Sequence, residues 1–231
     1  MTTQGYAAGE LLADTEWLAE HLDDPNVRIV DMDLPPGYAK AHLPNAMGIP
    51  NQSIKGEASK LVMEPDEFKQ VMESLGIGDD TLVIAYDGNK SLNACRLWWV
   101  LNYYGHTNVR VLNGGWWKWL AEGRPVSVGP GRKREGVTFS PQAHPEVLST
   151  VDALKAVHDQ PDVIVWDTRS PAEYTGDNDR GNTRKGHVPG AHHLEWQELI
   201  NPDDHTFKAA ADMRTMLEAV GVTPDKPIHT Y

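Results

Sequence analysis

The 231 residues carry 33 acidic against 21 basic side chains, a formal net charge of −12, and that balance argues against nucleic acid or an anionic membrane as partner, since either calls for a basic face. No basic-then-apolar leader opens the chain, and no apolar run approaches the ~18 residues needed to span a bilayer, so a cytoplasmic setting is expected. Cys95 is the single cysteine and excludes an intramolecular disulfide.

In chain order, a helix is predicted over Thr15–Leu22 and a strand over Val27–Asp31, followed by the turn His42-Leu-Pro-Asn-Ala46 and a short strand. Pro65 opens the next helix, at a position where its missing N–H costs nothing. That helix runs to Leu75 with Phe68, Val71, Met72 and Leu75 on one face, the i, i+3, i+4, i+7 stripe. Thr81–Tyr86 is a short apolar run between turn residues, as in a central strand of a parallel sheet. A polar loop, Asp87-Gly-Asn-Lys-Ser-Leu-Asn93, leads into a helix from about Ser91 to Tyr104. A loop of this kind gathers free backbone N–H groups at a helix N-terminus, which suits an anion or a thiolate. A strand at Val109–Leu112 and a helix from Gly115 to about Glu122 follow. Ser127–Pro145, with Gly129-Pro-Gly-Arg-Lys-Arg-Glu-Gly136, has the composition of a linker.

The chain then repeats. His42-Leu-Pro-Asn-Ala46 returns 145 residues on as His187-Val-Pro-Gly-Ala191, the helical stripe returns as Met213, Met216, Leu217 and Val220, and Tyr86 falls on Tyr231, the end of a strand over Lys226–Tyr231. Upstream the offset is 136, matching Val27–Asp31 with Val163–Asp167 and Leu18 with Leu154. The difference is an insertion within the polar stretch Gly176–Lys185, expected as a surface loop. Strands alternating with helices imply an α/β fold with parallel sheets flanked by helices. Two copies are expected, at residues 13–126 and 149–231 with a linker at 127–148. The second is incomplete, without a counterpart of Asp87–Glu122.

Several stretches resemble the tandem-domain rhodaneses, the thiosulfate and 3-mercaptopyruvate sulfurtransferases. They are Tyr86-Asp-Gly, Arg96-Leu-Trp-Trp99, Val109-Arg-Val-Leu-Asn-Gly-Gly-Trp116 and Trp119-Leu-Ala-Glu-Gly-Arg-Pro125 in the first copy, and Asp167-Thr-Arg-Ser-Pro-Ala-Glu-Tyr174 with Gly186-His-Val-Pro-Gly-Ala191 in the second. The resemblance implies two rhodanese-like domains, the first a non-catalytic copy. It also implies a cysteine nucleophile on the loop directly after the second copy's key strand. That cysteine would take the outer sulfur of thiosulfate as a persulfide and pass it to cyanide or a thiol. The first-copy residue at this position is Asp87, which cannot accept a sulfane sulfur; the second-copy residue would follow Tyr231, as cysteine or as selenocysteine. The polypeptide as given is therefore expected not to turn over, and its partners are a small anionic sulfur donor and a thiol or cyanide acceptor.

Arg169 and Arg184 are the candidates for binding the anionic donor, set against a structural ion pair for Arg169. In mercaptopyruvate-type members the resemblance implies an arginine where Glu173 stands here, which favours thiosulfate. Cys95 lies on a helix, where a small thiol usually packs, and Asp87 also suits plain turn chemistry. The histidines, His42 and His187 among them, lack metal-ligand spacing, so neither metal nor cofactor is expected. A non-catalytic sulfur-carrier or protein-binding module is the alternative, and a phosphatase with a longer loop a third.

Overall fold

A computed structural model describes residues 5–56 and 61–231, which divide into two compact units. The first holds residues 7–145 and 202–206, and the second residues 5–6, 146–201 and 207–231.

In the first unit the elements are β1 (Leu12–Ala13), α1 (Thr15–Glu20), β2 (Val27–Asp31), α2 (Pro35–Lys40), β3 (Met47–Gly48), α3 (Pro65–Ser74), β4 (Leu82–Tyr86), α4 (Leu92–Tyr103), β5 (Val109–Leu112) and α5 (Gly115–Ala121). The strands pair in parallel in the order β1-β5-β4-β2-β3. The central strand β4 is covered on both faces, with Val83, Ile84, Ala85 and Tyr86 fully buried, which is why it reads as an unbroken apolar run. Leu18, Leu43, Tyr86, Leu112 and Trp119 close one side of the core. On the other side Phe68 of α3 stacks on Tyr104 at 4.7 Å and meets Phe139 edge-on at 5.6 Å.

The second unit holds α6 (Val151–Val157), β6 (Ile164–Asp167), α7 (Pro171–Thr175), β7 (His192–His193), α8 (Ala210–Ala219) and β8 (Ile228–Thr230). Its strands are also parallel, ordered β7-β6-β8. Register repeats as well as order. Val30 faces Met47 in the first unit, and their counterparts Trp166 and His192 face one another in the second. Arg28 faces Val83, and likewise Ile164 faces Ile228. Even the 3₁₀ turn at Asn51–Ile54 recurs 145 residues later at Trp196–Leu199.

One expectation changes, and three short elements lie outside those expected. Residues 127–145, read as linker, pack onto the first unit: Ser127 exchanges backbone hydrogen bonds with His42, Phe139 is buried in the core, and a Cβ on Gly131 would stand 1.9 Å from the Ala46 carbonyl oxygen. Polar composition hid this, because one aromatic anchor and backbone pairing hold the segment. The short helices α2 and α7 were also not anticipated. Each opens with proline in its first helical turn, where the missing N–H costs nothing. Finally, the two-residue β1 is too short to carry a periodic signal.

The second unit is more thinly covered. Phe68, Met72 and Leu75 of the first unit are buried, whereas Met213, Leu217 and Val220, their counterparts on and after α8, all keep part of their surface in solvent. Thr15 is 1% exposed and its counterpart Val151 69%. Among the described residues of the second unit none takes the place of α4, β5 or α5.

Candidate active site

In the first unit the chain leaves β4 at Tyr86 and turns through Asp87–Ser91 into α4. Asp87 points back into this turn. One carboxylate oxygen accepts the N–H groups of Asn89 at 2.7 Å and Ser91 at 2.9 Å. The other accepts those of Asn93 at 2.7 Å and Ala94 at 2.8 Å, in the first turn of α4. The loop is thus a cradle of four N–H donors closed around one anion. Burial pushes the Asp87 carboxyl up, against the pull of these donors. Gly115 makes the close approach possible, since a Cβ there would lie 2.4 Å from the Asp87 carbonyl oxygen, which accepts the Trp116 N–H.

Asp33 reinforces the loop by accepting the Gly88 N–H at 3.0 Å. It stands at the repeat position of Arg169, and reading the 136-residue offset two residues further would have singled it out. Asp31 lies below, bonded to the Tyr86 hydroxyl, and burial raises its carboxyl to about 6 although Tyr86 and the Asp33 N–H pull it down. With three carboxylates the first unit's loop repels further anions. Cys95 sits one turn into α4 and keeps some exposure; burial and the Asp87 carboxylate push its thiol up to about 12. At neutral pH it is a protonated thiol, a poor nucleophile.

The second unit repeats the frame with the opposite charge. Tyr231 follows β8 as Tyr86 ends β4. Its hydroxyl accepts the Val188 N–H at 2.9 Å, as the Tyr86 hydroxyl accepts that of Leu43 at 3.0 Å. The repeated His-x-Pro turn is held identically in both units: His42 stacks on Tyr38 at 4.0 Å and His187 on Tyr174 at 3.7 Å, each with its Nδ1 on that tyrosine's carbonyl. These histidines shape the turn. Glu173 completes a capping box with Ser170 and lies 3.5 Å from Arg180.

Arg169 replaces Asp33. Its Nε and Nη2 donate to the two oxygens of Asp167 at 3.0 and 2.6 Å, and Nη2 also donates to the Gly186 carbonyl at 2.9 Å. Burial would raise the Asp167 carboxyl, but the Arg169 fork outweighs it and holds the group below the usual range. Arg169, Arg184, Lys185 and Tyr231 share the wall of a cavity of about 530 Å³. Arg184 is exposed and has no hydrogen bond or ion pair among the described residues, whereas Lys185 lies 3.3 Å from Asp179. Lys155 of α6, 3.5 Å from Asp152, adds a fourth cation, and no Asp or Glu side chain among the described residues lines the cavity. Lys155 was missed because its helix precedes the motif by a dozen residues. The apolar half of the wall, Val151, Leu154 and Val188, corresponds to Thr15, Leu18 and Leu43; in the first unit Leu18 and Leu43 lie in the part of the core that contains Trp119 of α5, and the Thr15 hydroxyl accepts from Lys118 of the same helix. The cationic rim beside Tyr231 is the part of this wall that attracts an anion. No group of three or more His, Cys, Asp or Glu able to hold a metal occurs among the described residues.

Residues 14–122 and 150–231 match the family of rhodanese-like domains. The chain is 35% identical to the sulfur carrier protein TtuD of Thermus thermophilus, over 98% of this chain and 84% of that protein. It is 31% identical to a 3-mercaptopyruvate sulfurtransferase of Escherichia coli, over 92% of this chain and 80% of that one. Its fold is similar to the crystal structure of SseA from Escherichia coli, with a TM-score of 0.85 and 26% identity over 95% of this chain and 87% of the other.

Proposed function

The chain belongs to the family of rhodanese-like domains, as a tandem pair, and we propose that it is the donor-binding part of a thiosulfate sulfurtransferase whose sulfur-bearing residue follows Tyr231. The observation that carries this reading is the cradle in the first unit, where four N–H groups converge on one anion directly after the strand that ends in Tyr86. The same strand, register and tyrosine recur at Tyr231. An equivalent loop after Tyr231 would hold a thiolate where the first unit holds a carboxylate, and such donors lower a thiol pKa.

The thiolate attacks the outer sulfur of thiosulfate. The bond from that sulfur to the sulfonate sulfur breaks, its electron pair leaves on sulfite, and a persulfide remains. Cyanide or another thiolate then takes the outer sulfur and restores the enzyme thiolate. The covalent intermediate divides one transfer into two easier steps. Arg184, with a guanidinium that pairs with nothing described, meets the dianion, and Arg169 and Lys185 strengthen the local field. In the first unit Asp87 fills its own cradle, and that copy carries no sulfur.

The test compares the product of the gene read past Tyr231 with the 231-residue polypeptide. The longer protein forms thiocyanate from thiosulfate and cyanide, the shorter one does not, and Cys95→Ser leaves the rate unchanged. Activity in residues 1–231, or its loss on Cys95→Ser, would overturn the assignment. The likeness to a sulfur carrier protein favours a second reading, in which the persulfide passes only to a protein thiol. In that case the longer protein retains one thiosulfate-derived sulfur by mass spectrometry and cyanide gives no sustained turnover.

A further inference from the structure

The two copies hold the residue before the reactive position in different ways, and the difference points to a role for Arg169 other than donor binding. In the first unit the loop is held from within: Asp87 gathers four N–H groups and Asp33 takes a fifth, that of Gly88. The Tyr86 carbonyl accepts the Met32 N–H at 2.9 Å, and Met32 has no hydroxyl to add. In the second unit Met32 and Asp33 are replaced by Thr168 and Arg169. The Tyr231 carbonyl accepts both the Thr168 N–H at 3.0 Å and the Thr168 hydroxyl at 2.9 Å. The Arg169 guanidinium lies over the Tyr231 ring, 4.9 Å from its centre. The Tyr231 hydroxyl bonds to Asp167, which is fully buried under the Arg169 fork.

We propose that Arg169 is a positioning residue, acting on the sulfur-bearing loop through Tyr231. This rests on the sulfurtransferase reading above. The planar fork on Asp167, the Gly186 carbonyl and the face over the tyrosine occupy Nε, Nη2 and one side of the guanidinium. Together they join the end of β6, the Gly186–Pro189 turn and the end of β8. A rigid Tyr231 fixes the direction in which the chain leaves the strand, and with it the place of the next side chain. Lysine cannot reproduce this, because a point charge makes neither the fork nor the stack.

The experiment uses the full-length gene product, with thiosulfate as donor and cyanide as acceptor. Arg169→Lys lowers kcat by about 10- to 100-fold, as misplacement of a reacting atom by about 1 Å does, and leaves KM for thiosulfate within about twofold. The acid limb of the kcat/KM profile moves to higher pH, because the loop no longer holds the thiolate squarely. Tyr231→Leu, which keeps Arg169 but removes the ring beneath it, reproduces the loss in kcat and serves if the lysine variant misfolds. A rise in KM at unchanged kcat would make Arg169 a donor ligand and overturn the proposal, as would unchanged kinetics in Tyr231→Leu. An inactive wild-type protein would instead remove the sulfurtransferase reading itself.

Discussion

Asp87 shows how one side chain can hold a whole loop. Its two oxygens satisfy four N–H groups, two of them in the first turn of α4, where a helix has no internal acceptors to offer. Asp87→Ala leaves those donors facing a buried void. A loss of about 2–3 kcal/mol is expected, at the upper end for a removed cap because several donors lose one acceptor. Urea unfolding checks it: a lower midpoint at unchanged slope supports the cradle, and a change under about 0.5 kcal/mol would mean that water replaces the carboxylate. The residue type and its place in the turn were legible in the sequence, since Asp opens a Gly-containing loop there. The number of donors was not, because that depends on the positive φ of Lys90 and Ser91, 55° and 67°, which no residue pattern specifies. A structural ion pair for Arg169 was legible in the sequence, and its fork on Asp167 is one; its bond to the Gly186 carbonyl was not, since Gly186 lies 17 residues away on a separate turn.

At the scale of elements the repeat acts as an internal control. α3 and α8 carry the same apolar stripe and occupy equivalent positions, so local propensity cannot separate them; coverage does. Phe68 packs against Tyr104 and Phe139, and no residue of α8 is fully buried. Phe68→Ala should cost about 3–5 kcal/mol, and Leu217→Ala in the 231-residue polypeptide only about 1 kcal/mol, in line with the smaller area it removes from water. Hydrogen exchange within α3 and α8 under matched denaturant measures both, and equal losses would contradict the contrast in burial. Periodicity made both helices readable, and the repeat made the equivalence of the strands readable. The packing of residues 127–145 onto the first unit was not readable, because its determinants are Phe139 and the space left by Gly131, one anchor and one absence amid a polar run.

Across the whole molecule the duplication has been charged in opposite senses, and pH separates the copies. Burial raises Asp31 to about 6 in the first unit. Its protonated form favours the fold, so its contribution is complete below the unfolded value of ~3.9 and is lost as pH climbs through about 6, a swing on the order of 3 kcal/mol. Asp167 is the converse. Its carboxyl is held below the usual range by Arg169, so its contribution is present above ~3.9 and is lost as pH falls toward its lowered folded value. Hydrogen exchange, corrected for intrinsic rates, should therefore show β2 and β4 better protected at pH 4.5 than at pH 7.5 (about 3 kcal/mol at most). It should show β6 and β8 losing protection only on further acidification. Asp31→Asn weakens the dependence in the first unit, leaving the part that comes from Asp33 and Asp87, which burial also raises, and leaves that of the second. Parallel pH profiles in the two sheets, or an Asp31→Asn profile like that of the wild type, would show that the burial of Asp31 and the Arg169 fork on Asp167 do not set the pH dependence of the two copies.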